Sequence, residues 1–318
     1  MLLNIVLSVF GFAILIKCAD FFVDGAVSFA KNFRISTTVI GLTIVAFGTS
    51  APELAISFYS HMSGNTDMLF GNVIGSNIAN ILVILGVAVL IKPFKIHNDL
   101  VKKEIPILLL ITLGLSILLL DNVFDLRAAK ILTRADGLIL ILFFSIFVYY
   151  LIMLLKNSKG ENTIVEKPKY SVLMSLVIMA LGLIGIIVGS NLVVDNVAAF
   201  ATAIGVSQKI ISVTILSIGT SLPELVTIVM AARKGENDMA IGSIVGSNIF
   251  NICIVLGLPI VLLGEAATAA FSFVDVIFML LSVVLLWIFS ATSREFKRYE
   301  GAAFIAVYFA YIGYIFLQ

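Results

Sequence analysis

A long internal repeat is the feature that most constrains what this chain can fold into. Residues 36–86 recur without a gap 171 residues later, as residues 207–257, and 22 of the 51 aligned positions are identical. The identities form two blocks: GTSAPE at 48–53 matches GTSLPE at 219–224, and GNVIGSNIAN at 71–80 matches GSIVGSNIFN at 242–251. Two copies of one unit predict a site at the interface between the copies.

The repeats lie in a chain with the composition of a membrane protein. Of its 318 residues 61% are hydrophobic and only 12% are charged, and the mean hydropathy is +1.16. Soluble domains carry about twice that charged fraction, so the chain is predicted to cross a membrane several times. The N-terminus lacks the basic region and cleavage site of a signal peptide, so we expect the first span to start there.

Apolar windows of about 20 residues predict ten transmembrane helices and therefore an all-α membrane fold. Their predicted limits are 2–30, 36–60, 67–91, 104–120, 135–156, 170–200, 207–232, 238–263, 271–291 and 301–317. Residues 1–156 form the first five-helix repeat, residues 157–169 a polar cytoplasmic linker, and residues 170–318 the second repeat. Because five is odd, the second repeat is inverted relative to the first, as in secondary transporters.

The distribution of Lys and Arg predicts the orientation in the cell membrane. The loops on one side hold fifteen of these residues, within 31–34, 92–103, 156–169, 233–234 and 294–298, whereas the opposite loops hold four. Cytoplasmic loops carry the excess of positive charge, so both termini are predicted to lie outside. We expect the chain to be surrounded by the lipid bilayer. We expect it to bind no nucleic acid and to need no obligate protein partner.

The first block of each repeat places a carboxylate, Glu53 or Glu224, in an apolar stretch. An ionisable group inside a membrane is costly unless it has a partner or a function. Pro52 and Pro223 precede the two glutamates, and proline breaks a helix because it lacks an N–H group. The sequence therefore predicts kinked helices with free carbonyl groups, at Gly48 and at its counterpart 219, that line a cavity or bind a cation.

The second block predicts a polar stripe on each of two apolar helices, since its polar residues follow a spacing of four. The stripes consist of Asn72, Ser76 and Asn80 in the first repeat and Ser243, Ser247 and Asn251 in the second. Glycine pairs four apart, 71 with 75 and 242 with 246, predict close helix contacts that bring the stripes near the glutamates. Oxygen ligands with carboxylates suit hard cations such as Na⁺ and Ca²⁺.

Other charged residues receive simpler interpretations. Lys17 is expected to pair with Asp20 and Asp24 at the membrane interface, because the three lie within two turns of one helix. Asp67 and Asp238 match across the repeat and are expected to cap the N-termini of their helices.

These blocks resemble the α-repeats of the cation/Ca²⁺ antiporter superfamily, and are most similar to those of the compact prokaryotic Na⁺/Ca²⁺ exchangers. GTSxPE followed by GxxxGSNxxN, twice at matching spacing, carries the resemblance, which extends over the whole chain. It implies an antiporter that is not an enzyme and has no cofactor apart from the transported Na⁺ and Ca²⁺. The metal ligands it implies are the carboxylates of Glu53 and Glu224, the amides of Asn80 and Asn251, hydroxyl or carbonyl oxygens of Thr49, Ser50, Ser76, Thr220, Ser221 and Ser247, and the carbonyl groups of Ala46 and Ser217.

Two departures from related branches bear on the coupling ion. The motif of the K⁺-dependent branch has an acidic residue where this chain has Asn251. The motif of the H⁺-coupled branch is similar to GNxxE, where this chain has GTSxPE. Both departures favour Na⁺ coupling, while an H⁺- or K⁺-coupled antiporter of Ca²⁺ or another divalent cation stays open as the alternative. A cation channel is less favoured, because channel carboxylates form rings around an axis.

Two ionised glutamates would give the site a charge of −2. One Ca²⁺ or two Na⁺ neutralise it, so exchange of more than two Na⁺ for one Ca²⁺ is predicted to be electrogenic. No HExxH motif, histidine pair or activated nucleophile indicates an intramembrane enzyme.

Overall fold

The computed structural model describes residues 2–120, 130–157, 167–204, 217–268 and 273–317. Within these ranges there are ten helical segments, when each of two broken helices counts as one. They are α1 (Leu2–Phe33), α2 and α3 (Thr37–Thr49 and Ala51–Met62), α4 (Thr66–Ile91), α5 (100–119), α6 (Arg134–Asn157), α7 (Val172–Ala203), α8 and α9 (Ser217–Thr220 and Leu222–Lys234), α10 (Asn237–Leu263), α11 (Phe273–Ser293) and α12 (Arg298–Leu317).

The predicted all-α membrane fold is confirmed, and the observed helix ends lie within about four residues of the predicted ones. The parts of the seventh and ninth predicted spans at 207–216 and 271–272, and most of the predicted linker, lie outside the described residues. By length and hydropathy alone, six described helices could each cross a membrane, and the bent pair α2 and α3 could be a seventh span.

The helices of the repeated blocks form the centre of the molecule. In α4 and α10, 67% and 83% of the most apolar window is buried, whereas in α1 and α7 the values are 22% and 28%. The two long peripheral helices, α1 and α7, pack against each other along their length. The fold therefore places an outer helix pair against an inner group that carries the recurring blocks of both repeats.

Two small antiparallel sheets reveal the relation between the halves. Strand β1 (Phe94–Lys95) pairs with β4 (Glu295–Phe296), and β2 (Lys130–Leu132) pairs with β3 (Ala266–Thr268). Strands β1 and β3 follow the equivalent helices α4 and α10, while β2 and β4 precede the equivalent helices α6 and α12. Exchange of the repeats therefore converts one sheet into the other, as a two-fold axis between the halves requires.

Local backbone features also recur at repeat-related positions. Gly64 and Gly235 both have positive φ, 74° and 85°, in the turns that follow α3 and α9. The helices α4 and α10 each contain a π-helical stretch, Asn80–Leu85 and Asn251–Leu256. Such π-bulges are uncommon in helices and frequently occur at functional sites. Each of these two begins at an asparagine that the resemblance implies as a ligand.

The predicted ion pair of Lys17 is wrong, although its two expected partners are paired. Lys17 Nζ lies 5.0 Å from the centroid of the Phe21 ring. Lys234 at the end of α9 instead contacts Asp24 and lies 2.9 Å from Asp20. Lys169 Nζ lies 2.7 Å from Asp24. Because α9 packs against α1, a lysine distant in sequence reaches both carboxylates.

The predicted N-caps are also wrong, each by two residues. Asn65 caps α4, and its side chain accepts a hydrogen bond from the N–H group of Met68 at 3.2 Å. Glu236 occupies the N-cap position of α10. Asp67 and Asp238 lie inside the first turns, where a carboxylate still interacts favourably with the helix dipole.

Candidate cation site

Each repeat contains a helix that breaks where the proline predicts it. The axes of α2 and α3 differ by 44°, and Ser50 lies at the break with φ −86° and ψ 9°. Ser221 lies between α8 and α9 with φ −92° and ψ 4°. Pro52 and Pro223 each occupy the first turn of the helix that follows, where the missing N–H group has no intrahelical partner to lose. The predicted interruption is confirmed in both repeats.

Glu53 and Glu224 lie in the first turns of α3 and α9, and each is only 1% exposed. Helix N-termini favour negative charge, which offsets part of the cost of burying the two carboxylates. None of the ion pairs in the described parts of the chain involves either glutamate. One oxygen of each carboxylate, Oε2, also lacks a hydrogen-bond donor there.

Several hydrogen bonds join the two repeats around these glutamates, and in four of them the donor is a residue implied as a ligand. Ser50 Oγ donates to Glu224 Oε1 at 3.1 Å, Asn80 Nδ2 to Asn248 Oδ1 at 2.9 Å, Asn251 Nδ2 to Ser76 Oγ at 3.1 Å, and Ser247 Oγ to the carbonyl oxygen of Ala46 at 3.4 Å. Within the first repeat, Asn72 Nδ2 donates to the carbonyl oxygen of Glu53 at 2.9 Å. The blocks that recur in sequence therefore meet in space, as the repeat predicts.

The amides of Asn80 and Asn251 are oriented in the same way. In each, the nitrogen donates to a residue of the other repeat, whereas the oxygen Oδ1 has no partner among the described residues. Both side chains are 1% exposed. A buried acceptor without a donor costs about 1–3 kcal/mol. Four such oxygens, two from carboxylates and two from amides, therefore form an environment that a cation would stabilise.

The hydroxyl-bearing residues implied as ligands differ in burial and in hydrogen bonding. Thr49 Oγ1 lies within hydrogen-bond distance of two carbonyl oxygens of its own helix, at 3.1 Å from Val45 and 3.3 Å from Ala46. Ser221 is buried, and its hydroxyl has no partner in the described part of the chain. Thr220 is half-buried at the end of α8. Ser217 begins α8, and its side chain lies outside what the structure describes.

Two carbonyl groups near the glutamates, one expected to be free and one implied as a ligand, have donors. The oxygen of Gly219 accepts a hydrogen bond from Ser190 Oγ of α7 at 3.0 Å, so the prediction that this carbonyl lacks a donor is wrong. The oxygen of Ala46 accepts from the N–H group of Ser50 at 3.1 Å and from Ser247. An oxygen-rich turn in a membrane can be satisfied by a neighbouring helix as well as by an ion.

The predicted close approach of glycines is confirmed in the second repeat. A Cβ atom on Gly242 would lie 2.8 Å from the carbonyl oxygen of Thr38, and one on Gly246 would lie 2.5 Å from that of Leu42. Helix α10 therefore touches the backbone of α2. At Gly75 a Cβ atom would have nothing within 4 Å, so the predicted close approach is wrong there, whereas the contact of Gly71 stays a prediction.

Sequence reasoning missed two pairs of buried polar residues. Asn77 and Asn248, which match across the repeat, lie next to the predicted stripes and are 2% and 0% exposed. Two buried carboxylates, Glu104 and Asp275, also match across the repeat and each accepts a hydrogen bond from a tyrosine, Tyr150 and Tyr311. The sequence offered a signal for both pairs, since each pair is related by the same offset of 171 residues.

The donor set limits which ions fit. Among the described residues no three His, Cys, Asp or Glu side chains form a cluster that could hold a metal ion. The site consists of two carboxylates with amide and hydroxyl oxygens, which suits a hard cation. Affinity for such an ion falls with fewer charged ligands, so the arrangement fits an ion that binds and is released.

Comparisons with known proteins point to one family. The model of the family described as sodium/calcium exchanger protein matches residues 3–153 and 174–317. The chain is 34% identical to the inner membrane protein YrbG of Escherichia coli, over 89% of this chain and 88% of that protein. It is 32% identical to the sodium/calcium exchanger MaX1 of Methanosarcina acetivorans, over 98% of each.

Among solved structures, the chain is similar to the sodium-calcium exchanger NCX_Mj soaked with Na⁺ and Sr²⁺. The TM-score is 0.83 and the identity 31%, with 98% of each chain covered. A match at this identity and coverage extends from the repeated blocks to the outer helices. The chain therefore belongs to the sodium/calcium exchanger family, within the cation/Ca²⁺ antiporter superfamily, and is a multi-pass membrane protein.

Proposed function

We propose that this protein exchanges Na⁺ for Ca²⁺ across the cell membrane by alternating access, with both ions bound at the site between the repeats. One observation carries the proposal: Glu53, Glu224, Asn80 and Asn251 each have a buried side-chain oxygen without a donor among the described residues. Two negative charges and two amide dipoles without a cationic side chain would be strongly unfavourable in a membrane. A bound cation would supply the missing partner.

In this proposal the two glutamates are the ligands shared by Na⁺ and Ca²⁺, and Asn80 and Asn251 add amide oxygens beside them. The hydroxyl oxygens of Thr49, Ser50, Ser76, Thr220, Ser221 and Ser247 complete the coordination shells, with carbonyl groups of Ala46 and Ser217 in support. Ser50 is bonded to Glu224, so it also holds that carboxylate in position. The carbonyl of Ala46 would exchange one of its hydrogen bonds for an ion.

Charge neutralisation accounts for exchange. With both glutamates ionised, one Ca²⁺ or two Na⁺ bring the site to neutrality, and the two ions compete for the same oxygens. A third Na⁺ would leave a net charge of +1, and each such charge couples to the membrane potential by about 2.3 kcal/mol per 100 mV. We therefore propose an electrogenic exchanger that carries one ion species at a time.

Helices α1 and α7 are the proposed moving elements. They pack on each other through glycines, such as Gly182 on Phe22 and Gly11 on Gly189, where the two helix backbones approach closely. Both are peripheral, and Ser190 of α7 is bonded to Gly219 at the end of α8. A shift of the pair relative to the central helices would therefore reach the site directly.

The test uses purified protein in liposomes. Vesicles loaded with Na⁺ are diluted into buffer without Na⁺ and K⁺, and uptake of ⁴⁵Ca²⁺ is measured against vesicles loaded with choline and vesicles with a pH gradient. Uptake that requires internal Na⁺ is the expected result. Uptake driven by the pH gradient alone would replace the proposal with an H⁺-coupled antiporter, and uptake that requires K⁺ would replace it with a K⁺-coupled one.

Substitution of the carboxylates tests the site itself. Glu53→Gln and Glu224→Gln preserve size and remove one charge each, so we expect Ca²⁺ uptake to be lost while the protein stays folded. Glu104→Gln is the matched control, because Glu104 is also 1% exposed but lies outside the site and binds only Tyr150. Uptake retained by either site variant, or lost equally in the control, would contradict the assignment.

A further inference from the structure

The amide of Asn80 is held by a second asparagine, Asn248, which no ligand assignment uses. Asn80 Nδ2 donates to Asn248 Oδ1 at 2.9 Å, and Asn248 Nδ2 donates in turn to the carbonyl oxygen of Asn77 at 3.3 Å. Asn248 is completely buried. Because its nitrogen is held by Asn77, its oxygen faces Asn80, and the oxygen of Asn80 is left free. An amide that presented its NH₂ group to a cation would repel it, so this orientation determines whether Asn80 can bind an ion.

The equivalent residue of the first repeat, Asn77, does something different. Its Nδ2 donates to the carbonyl oxygen of Val73 in its own helix at 2.7 Å, and its Oδ1 has no donor in the described part of the chain although the residue is 2% exposed. Asn251, the counterpart of Asn80, is held by Ser76 Oγ at 3.1 Å instead. The counterpart of Ser76, Ser247, bonds to Ala46. Three pairs of residues related by the repeat, 76 and 247, 77 and 248, and 80 and 251, are thus arranged asymmetrically.

In an inverted-repeat carrier, the two repeats exchange conformations when the site opens to the other side of the membrane. We propose that Asn77 and Asn248 are alternating positioning residues for the ligand amides, each orienting the asparagine of the other repeat in one of the two access states. The inference rests on the proposed exchange function. In the state described, Asn248 orients Asn80; in the opposite state Asn77 accepts a hydrogen bond from Asn251 Nδ2, and Ser247 holds Asn80.

The free oxygen of Asn77 gives this exchange a physical basis. A buried acceptor without a partner is destabilising, and it becomes satisfied in the opposite state. At the same time Asn248 loses its donor, so the two states differ little in the number of satisfied groups. In this proposal the two hydrogen bonds form alternately, so they act as a two-state element. A carrier requires such an element because a conformation open to both sides of the membrane would leak ions.

The experiment measures the half-saturating Ca²⁺ concentration at each membrane face. The full-length protein is expressed in cells, and right-side-out and inside-out vesicles are prepared for Ca²⁺/Ca²⁺ exchange, which requires no assumption about the coupling ion. Asn248→Ala and Asn77→Ala are compared with the unsubstituted protein. We expect each variant to raise the half-saturating concentration about three- to tenfold at one face only, and the two variants to affect opposite faces.

A third variant separates orientation from folding. Asn248→Asp retains an acceptor for Asn80 Nδ2, so the ratio of half-saturating concentrations at the two faces should stay as in the unsubstituted protein, whatever the added charge does to both. Equal effects of Asn77→Ala and Asn248→Ala at both faces, or a changed ratio in Asn248→Asp, would overturn the inference. Absence of Ca²⁺/Ca²⁺ exchange in the unsubstituted protein would overturn the proposed function instead.

Discussion

The contact between α10 and α2 offers a direct test of how the site is held together. Gly246 precedes Ser247 in the second repeat, and it lies against the backbone of Leu42. In Gly246→Ala the new Cβ would lie 2.5 Å from the carbonyl oxygen of Leu42 and 2.8 Å from its carbonyl carbon. These are backbone atoms, so no side-chain rotation can relieve the overlap. The two helices must separate.

The size of the separation follows from the distances. Ordinary contact starts at 3.4 Å, so α10 and α2 must move apart by about 1 Å at this position. The neighbouring hydrogen bond from Ser247 to Ala46 is already 3.4 Å long and would be lost. Overpacking of this kind costs about 1–3 kcal/mol of stability. A misplacement of about 1 Å at a reacting or binding centre can cost about 100-fold in rate, and we expect a loss of about 10- to 100-fold in Ca²⁺ transport.

The assay is Na⁺-driven ⁴⁵Ca²⁺ uptake into liposomes, with thermal unfolding in detergent measured in parallel. Gly313→Ala is the matched control, because Gly313 is an exposed helical glycine with no atom near its Cβ position. In the control, uptake should be unchanged and stability should not fall, since alanine is the better helix former. Uptake by Gly246→Ala at the rate of the unsubstituted protein would refute the close contact and the site geometry derived from it.

Three further predictions address other features. Tyr150→Phe removes the donor to the buried carboxylate of Glu104 and should lower the free energy of unfolding by about 1–3 kcal/mol. The neighbouring Tyr149→Phe, on the exposed face, should have almost no effect, and equal thermal stability of the two variants would contradict this. Lys234→Met breaks the ion pairs with both aspartates of α1, which are partly exposed, so we expect a loss of at most about 1 kcal/mol that shrinks at high salt. A loss that thermal unfolding shows to be independent of salt would rule out this account. Asn251→Asp adds a third carboxylate to the site, so Ca²⁺ uptake should acquire a dependence on K⁺ or pH; identical Na⁺, K⁺ and pH dependence would argue against Asn251 as a ligand.

Much of the fold could be predicted because its signals are local. Hydropathy over about 20 residues locates a span wherever the chain is apolar enough. Within the described residues, the ends of the predicted segments agree with the helix ends to within about four residues. Pro52 and Pro223 break their helices for a covalent reason, the missing N–H group. The odd number of spans in each repeat then requires inversion, and the two small sheets have the relation that inversion demands.

The partners of charged and polar groups were less predictable. Lys17 was assigned to Asp20 and Asp24 because it is near them in sequence, yet Lys234, more than 200 residues away, takes that place. The carbonyl group of Gly219 was expected to be free, but Ser190 on another helix donates to it. Such partners depend on how the helices pack, and no local sequence pattern predicts that packing.

The sequence by itself determined that the chain spans a membrane, that it consists of two related halves, and that two glutamates lie inside the apolar region, since each of these follows from composition, periodicity or covalent chemistry. Only the tertiary structure decided which atoms face the site. The bond from Asn80 to Asn248 joins residues 168 positions apart, and the bond from Ser247 to Ala46 joins residues 201 apart. An amide presents either its oxygen or its nitrogen to an ion, and the choice depends on a neighbour that folding brings into contact.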